Sequence, residues 1–440
     1  MVEDWRFVAT MLSMSRTLNL IFLGLVFLPP ALFAENWPQW RGPNGDGTSS
    51  ERGLPLKWSR TENILWRLPL PGPAGSTPAV WNDRIFLTSP SGDDLHLICV
   101  SDAGKELWRR KLASGNRVVR DGEGNSAAPS PATDGKHVWA FAGTGDLACF
   151  DFDGLLVWKK NLQKEYGEYD HWHGMSSSPL LAGDALYLMC LQIKNSYILA
   201  LDKETGKERW KRGRESDADH ESKQSYASPV LYRDEDRSLL LIHGGDVVSA
   251  HRLTDGAEVW RCGSLNPKDK YNRFLRFVAS PVCQPGLVVV PSAKGRPVLG
   301  LRPDGKGDVT GTDHVAWRRP RDTSDVPTPL IHDGLVYLLR ENGVLICMDA
   351  QSGEEVYLER LHKDLQRASP VMADGKLYCA SRAGDIFVVK PGRSFKVLAE
   401  NSMGETIAAT PAVSGGRLYV RSFDALYAIG RKNESVESRR

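Results

Sequence analysis

The chain has 440 residues, 41% hydrophobic and 25% charged, with 56 basic against 54 acidic residues and a net charge of +2. That near-balance gives no electrostatic footing for nucleic acid or an anionic membrane surface. With 41 Gly, 26 Pro and 13 Trp, the composition suits many short strands and tight turns rather than long helices.

In chain order, residues 1–34 come first and read as a leader. An eleven-residue, largely apolar run from Leu18 to Leu28 is followed by Pro29-Pro30 and then Ala31-Leu32-Phe33-Ala34. This is the pattern of a secretory signal cleaved after Ala34. Glu3 and Asp4 are foreign to such a signal, which leaves Met1 and Met14 as alternative starts. An uncleaved anchor is the competing reading, but the run falls short of the roughly 20 residues a spanning helix needs. No Cys lies beside the cleavage site, so lipid attachment there has no support. The expected mature chain is one domain over residues 35–430, with a solvated, frayed tail over 431–440.

Next come Asn36-Trp37-Pro38-Gln39-Trp40-Arg41-Gly42-Pro43 and then Asn44-Gly45-Asp46-Gly47. The second stretch has too few oxygen ligands for a calcium loop and reads as a turn. Asn63-Ile64-Leu65-Trp66-Arg67-Leu68 follows as an orphan strand. From there a Ser/Thr-Pro step recurs eight times, at Pro78, Pro131, Pro179, Pro229, Pro281, Pro329, Pro370 and Pro411, spaced by 53, 48, 50, 52, 48, 41 and 41 residues. Repeats at that period mark an array of supersecondary units.

Within a unit, turns such as Asp333-Gly334 and Asp374-Gly375 separate alternating apolar strands. A Gly then precedes an aromatic by four positions, as in Gly104/Trp108, Gly154/Trp158, Gly206/Trp210, Gly256/Trp260 and Gly353/Tyr357. Each unit therefore holds four short antiparallel strands, and the whole is an all-β, eight-bladed β-propeller. The last unit stops at Ala425-Leu426-Tyr427-Ala428-Ile429 without its Trp strand. The orphan N-terminal strand supplies it and zips the ring shut, leaving no open edge. Units five and seven are irregular, with a Gly-rich insertion before Trp317 in one and Phe395 in place of Trp in the other.

The repeated Trp reads as packing between neighbouring sheets rather than as a cofactor stack. The seven Cys form no CxxC, CxxCH or Cys-Cys pair. Cys99, Cys149 and Cys347 fall where the third repeat has Ala200, a place that wants a small apolar group, so they read as structural thiols. Any disulfide connectivity is not legible from spacing.

The loops leading into the Ser/Thr-Pro steps gather at one end of the channel and carry the candidate binding residues. The richest is Tyr169-Asp170-His171-Trp172-His173-Gly174. His171 and His173, with His220 in the next inter-blade segment, offer metal-ligand chemistry without a spacing that fixes a ligand set. Recognition or loop packing are the competing readings. Arg276, Asp325 and Arg367 add charge from other entering loops, as do Arg120, Asp121, Glu123 and Glu405. Arg276, flanked by Phe274, Leu275 and Phe277, has the composition of an interface anchor. No Gly-x-Ser-x-Gly, Walker loop or His-Glu-x-x-His occurs, so hydrolase and nucleotide readings lack a motif.

The Trp37–Pro43 stretch, Leu65-Trp66, and the Ser/Thr-Pro and Asp-x-x-x-Gly-x-x-x-Trp repeats resemble the quinoprotein (pyrroloquinoline-quinone-like) propeller family across essentially the whole mature chain. One branch of it contains alcohol and sugar dehydrogenases that hold pyrroloquinoline quinone with calcium and use a catalytic Asp. Many carry a Cys-Cys pair against the quinone, and some a CxxCH haem site. Neither signature occurs here. The chain is more similar to the BamB-like branch, exported scaffolds for outer-membrane protein assembly. That resemblance implies a non-catalytic propeller in the periplasm or cell envelope, with no cofactor and a protein or peptide partner at a loop face. Membrane association would then come only through a partner or an uncleaved leader. The alternative is a quinone-dependent dehydrogenase or its non-catalytic relic.

Overall fold

A computed structural model describes residues 34–119 and 124–431. The leader cleavage, the tail over 432–440 and the loop residues Arg120, Asp121 and Glu123 lie outside the described residues. Every Ser/Thr-Pro step opens the innermost strand of a blade, and each of the eight blades is built from four antiparallel strands. In blade 3 these are Leu180–Ala182, Ala185–Cys190, Tyr197–Asp202 and Glu208–Gly213, hydrogen-bonded in that order. The second strand is buried at every residue because neighbouring blades cover both faces, whereas the outermost buries only Trp210. The inner strands of blades 1 to 7 touch in sequence order, that of blade 1 lies against that of blade 8, and the Ser369 N–H bond to Thr410 links blade 7 to blade 8 and closes the ring. A single short α-helix, Leu162–Tyr166, interrupts the β pattern among the described residues, with two 3-10 turns. No described helix is long and apolar enough to cross a membrane.

The repeat is legible because each blade solves the same packing problem. The Trp of one blade donates its indole N–H to a carbonyl of the next: Trp108 to Phe152 at 2.8 Å, Trp158 to Lys203 at 2.9 Å, Trp210 to Leu253 at 2.9 Å and Trp317 to Ala350 at 2.9 Å. The indole lies flat on the repeat glycine of that next blade. Gly206, at φ 68°, would place a Cβ 2.7 Å from the Trp158 ring, so both its backbone conformation and the contact require glycine. Across the sheet, the residue paired with the aromatic is small in six blades: Cys99, Cys149, Ala200, Ala250, Gly300 and Cys347. These cysteines are therefore spacers under an aromatic ring, and all seven cysteines are free thiols. Burial pushes the Cys99 thiol up to about 12 and that of Cys347 up to about 11, which keeps both protonated.

Strand Ile64–Pro69 pairs antiparallel with Ala425–Ile429 and completes blade 8. Around the channel, seven of the Ser/Thr hydroxyls accept the backbone N–H of the equivalent residue one blade earlier: Thr77 to Ser130, Ser130 to Ser178, Ser178 to Ser228, Ser228 to Ser280, Ser280 to Thr328, Thr328 to Ser369, and Ser369 to Thr410, all at 2.9–3.0 Å. The belt breaks at the seam, where Thr77 Oγ1 has no partner. There the fully buried Arg421 of blade 8 donates to Thr88 O at 2.5 Å and to Ser76 O at 3.4 Å in blade 1. With carbonyl acceptors and no carboxylate, its guanidinium pKa is lowered by burial to about 9.

The irregular units resolve differently. The insertion before Trp317 lends Gly307–Asp308 to the outer edge of blade 4, where it pairs in parallel with Trp260 and Arg261. Blade 7 keeps a regular outer strand, Val397–Ser402, and Phe395 packs on Tyr357 of blade 6 at 5.7 Å.

Candidate functional site

The two ends of the channel differ. At the end carrying the inner-strand hairpins, the chain from Glu35 to Trp58 crosses the opening. Trp37 pairs with Val80 of blade 1, Pro38 O accepts from Thr133 N of blade 2 at 2.8 Å, and the Gln39 amide oxygen accepts from Leu181 N of blade 3 at 2.9 Å. Arg41, fully buried, then donates to Pro370 O at 2.7 Å and Pro329 O at 2.9 Å on the opposite side. Thr48 bridges Met372 of blade 7, and Asn44–Gly47 is a turn, as expected. Trp37, Leu54 and Trp58 bury into the core shared by blades 7, 8 and 1. A buried aromatic removes some 150–250 Å² from water, about 4–6 kcal/mol each at ~25 cal/mol/Å². Trp40 faces the channel and forms its floor.

The other end is open. The third residue before each repeat proline lines the channel wall: Gly75, Ala128, Ser176, Tyr226, Val278, Val326, Arg367 and Ala408. Six are small or apolar, so Tyr226 and Arg367 stand out as the polar reach of this layer. They share a mouth cavity of about 260 Å³ with His173 and Arg276. Behind these residues, the buried Glu221 carboxylate stands 3.4 Å from His173 Nε2 and 3.9 Å from Arg276 Nε, and Arg276 reaches Asp325 at 3.9 Å. Tyr226 donates to Gln224 Oε1 at 2.9 Å and accepts from His173 N at 3.3 Å, and burial pushes its phenol pKa up. The mouth is therefore a partly desolvated network of cation, carboxylate and phenol, with Arg276 held between two acids.

Beside it, Trp172, His220 and Phe274 form an aromatic rim. Trp172 meets His220 edge-on at 4.6 Å, and His220 meets Phe274 at 5.0 Å. Trp172 and Phe274 are 39% and 46% exposed, unusual for large aromatics, while Leu275 and Phe277 just after Phe274 are buried. His171 goes elsewhere. It is buried edge-on to Tyr226, facing a separate cavity of about 220 Å³, and burial lowers its pKa to about 4, so it is neutral at pH 7.

Of the candidate residues, the fold thus gathers His173, Arg276, Asp325 and Arg367 at the mouth and Trp172 with His220 on its rim, while His171 turns inward. Glu405 turns away too, accepting from Tyr427 OH at 2.6 Å and Arg67 at 2.9 Å in the closing blade. The three histidines do not assemble as ligands. Among the described residues, metal-ligating atoms group only at Asp134, His137 and Glu204, where Lys203 already bonds Asp134 at 2.8 Å. Nor do the described channel residues fit calcium, which takes six to eight oxygens. The wall carries no carboxylate, and the nearby Glu221 and Asp325 are paired with Arg276. Glu221, Tyr226 and Trp40 were not singled out from sequence. Aligning the eight repeats on their prolines would have exposed Tyr226, the one aromatic in a row of mostly small residues.

Comparison with known proteins identifies the family. Residues 93–358 match the family model described as outer membrane protein assembly factor BamB. A curated relative of that name from Yersinia pestis is 20% identical over 340 residues, covering 75% of this chain and 78% of the relative. The crystal structure of BamB from Moraxella catarrhalis superposes with a TM-score of 0.60 at 15% identity, over 84% of this chain and 98% of that one. A europium-containing methanol dehydrogenase superposes with a TM-score of 0.66 at 12% identity, over 89% and 90%. At those identities the structural likenesses speak for the fold alone.

Proposed function

This chain belongs to the family described as outer membrane protein assembly factor BamB, and from that premise we propose that it is an exported, non-catalytic propeller of the periplasm or cell envelope that binds a protein or peptide at its open mouth. The observation that carries the reading is the rim, where exposed Trp172 and Phe274 stand beside Arg276 held between Glu221 and Asp325. Aromatics and arginine over a buried support are the composition of an interface centre, and a guanidinium flanked by two acids at 3.9 Å, beyond hydrogen-bond reach, keeps N–H donors for a partner's carbonyl. A role in outer-membrane protein assembly follows from the name of the relatives and is part of the proposal.

The second reading, a quinone-dependent dehydrogenase, shares the fold with the dehydrogenase and is opposed by the donor set, which offers a cation two guanidinium groups where oxygens are required. One experiment separates the two. A photo-crosslinking amino acid at Phe274 should give discrete envelope-protein adducts that W172A or R276A abolishes. Titration with pyrroloquinoline quinone and calcium should show no saturable heat. Saturable quinone binding with dye-linked alcohol oxidation, or unchanged adducts in both variants, would overturn the scaffold reading.

A further inference from the structure

The N-terminal segment shows how the plugged end holds an extended chain. In each blade, the second residue after the repeat proline turns its main chain away from its own sheet and toward the channel. The segment uses this edge repeatedly. Val80 N donates to Trp37 O at 2.7 Å, Thr133 N to Pro38 O at 2.8 Å, Leu181 N to the Gln39 side chain at 2.9 Å, and Met372 N to Gly47 O at 2.9 Å. The equivalent residues of blades 4 and 5 are Leu231 and Cys283, paired with Leu240 and Val288 in the same register as Val80 with Ile85. The segment has turned back at Pro43–Gly45 and does not reach them. Among the described residues the Leu231 carbonyl receives the Cys283 thiol, at 3.5 Å, and no backbone N–H from the N-terminal segment. A cavity of about 530 Å³ opens there, walled by Trp40, Pro43, Leu181, Leu231 and Cys283, with Arg233 at its rim.

We propose that this cavity is a second binding site, distinct from the mouth, which takes an extended peptide of alternating apolar and polar residues by main-chain pairing to Leu231 and Cys283. Three observations select that occupant. The site continues the inner edge that the chain's own segment already pairs along, so the same backbone geometry is on offer two blades further round. Strand-edge N–H and C=O groups facing a cavity favour a partner that satisfies them in register, which an extended main chain does and a compact ligand does not. The charges on the lining are Arg233, the Lys203–Asp134 pair and Asp46, whose carboxylate accepts from Thr48 N and Oγ1 at 2.8 Å; Arg233 has no acidic partner within ion-pair distance among the described residues, so an acidic side chain on the peptide has a counter-charge at the rim. A volume of this size lies in the range of ligand sites.

The probe is the capped peptide Ac-Ser-Val-Asp-Val-Ser-Val-NH2, titrated into the folded chain by calorimetry, with amide hydrogen exchange as the second readout. The expected result is saturable binding with exchange slowed at Leu231 and Cys283. Affinity should fall at least tenfold when the valine amides of the peptide are N-methylated, a change that leaves the protein untouched. R233A should weaken the Asp peptide severalfold but not its Asn counterpart, and W172A, which disables the mouth, should leave this peptide's affinity unaltered, which separates the two sites. Equal affinity of the N-methylated peptide, protection appearing only around Trp172, or no saturation at millimolar peptide would each overturn the proposal.

Discussion

Replacing Ser228 by Ala removes the hydroxyl that accepts the Ser178 backbone N–H at 2.9 Å. Both residues are buried, at 6% and 5% exposure, so the amide is left without a protein partner. An unsatisfied buried donor costs about 1–3 kcal/mol. The side-chain volume lost is one oxygen atom, so the cavity contribution is minor beside that. The seam supplies an internal control. Thr77 is equally buried, but its Oγ1 accepts nothing, so Thr77→Val discards a hydroxyl that no amide uses and should cost close to zero. S130A and S228A break non-adjacent links, and their double variant should lose about 2–6 kcal/mol, the near-sum of the two. The assay is urea denaturation followed by Trp fluorescence, comparing midpoints at constant slope. If S228A and T77V shifted the midpoint equally, or S228A shifted nothing, the belt would be a geometric consequence of the repeat and no part of its stability.

Two further outcomes follow from the packing and the buried charges. Gly300→Ala would put a Cβ 2.1 Å from the Trp317 ring, although alanine is native at the equivalent positions 200 and 250. The variant should lose about 1–3 kcal/mol, with partial recovery in G300A/W317L, and a neutral G300A would contradict the packing described. Burial lowers the imidazole pKa of His171 to about 4, of His243 to about 3 and of His251 to about 4. Between those values and the usual 6.5 the unfolded chain binds protons that the folded chain does not, so this contribution is complete above pH 6.5 and lost as pH falls toward 4. Asp246, raised to about 6 by burial, acts in the opposite sense between about pH 4 and 6. Three histidines against one carboxyl leave a net loss on acidification of up to about 2.7 kcal/mol per pH unit near pH 5. Urea midpoints at pH 7 and pH 5 check this, and greater stability at pH 5 would refute it.

The repeat, the blade count, the ring closure and the packing role of the tryptophans were all legible in the sequence. Each blade must bury the same two faces against similar neighbours, so one solution recurs: Ser/Thr-Pro at the channel is written eight times, and Gly-x-x-x-Trp or Tyr at the outer strand five times. Those constraints are local to a repeat or pass between adjacent repeats, and periodicity displays them. The mouth was only half legible. Arg276, Asp325 and Arg367 could be placed at one end by position in the repeat, and Tyr226 was open to the same alignment, but the pairing of Arg276 with Glu221 was set by side-chain directions that no spacing records. His171 and His173 are two residues apart, yet one is buried against Tyr226 and the other faces the mouth. The plug was the least legible of all. Arg41 reaches Pro370 and Trp58 reaches Asn401, more than 300 positions away, through contacts that exist only once the ring has closed. An unrepeated segment has no second copy against which to read its pattern, so its place across the channel was decided by the tertiary structure.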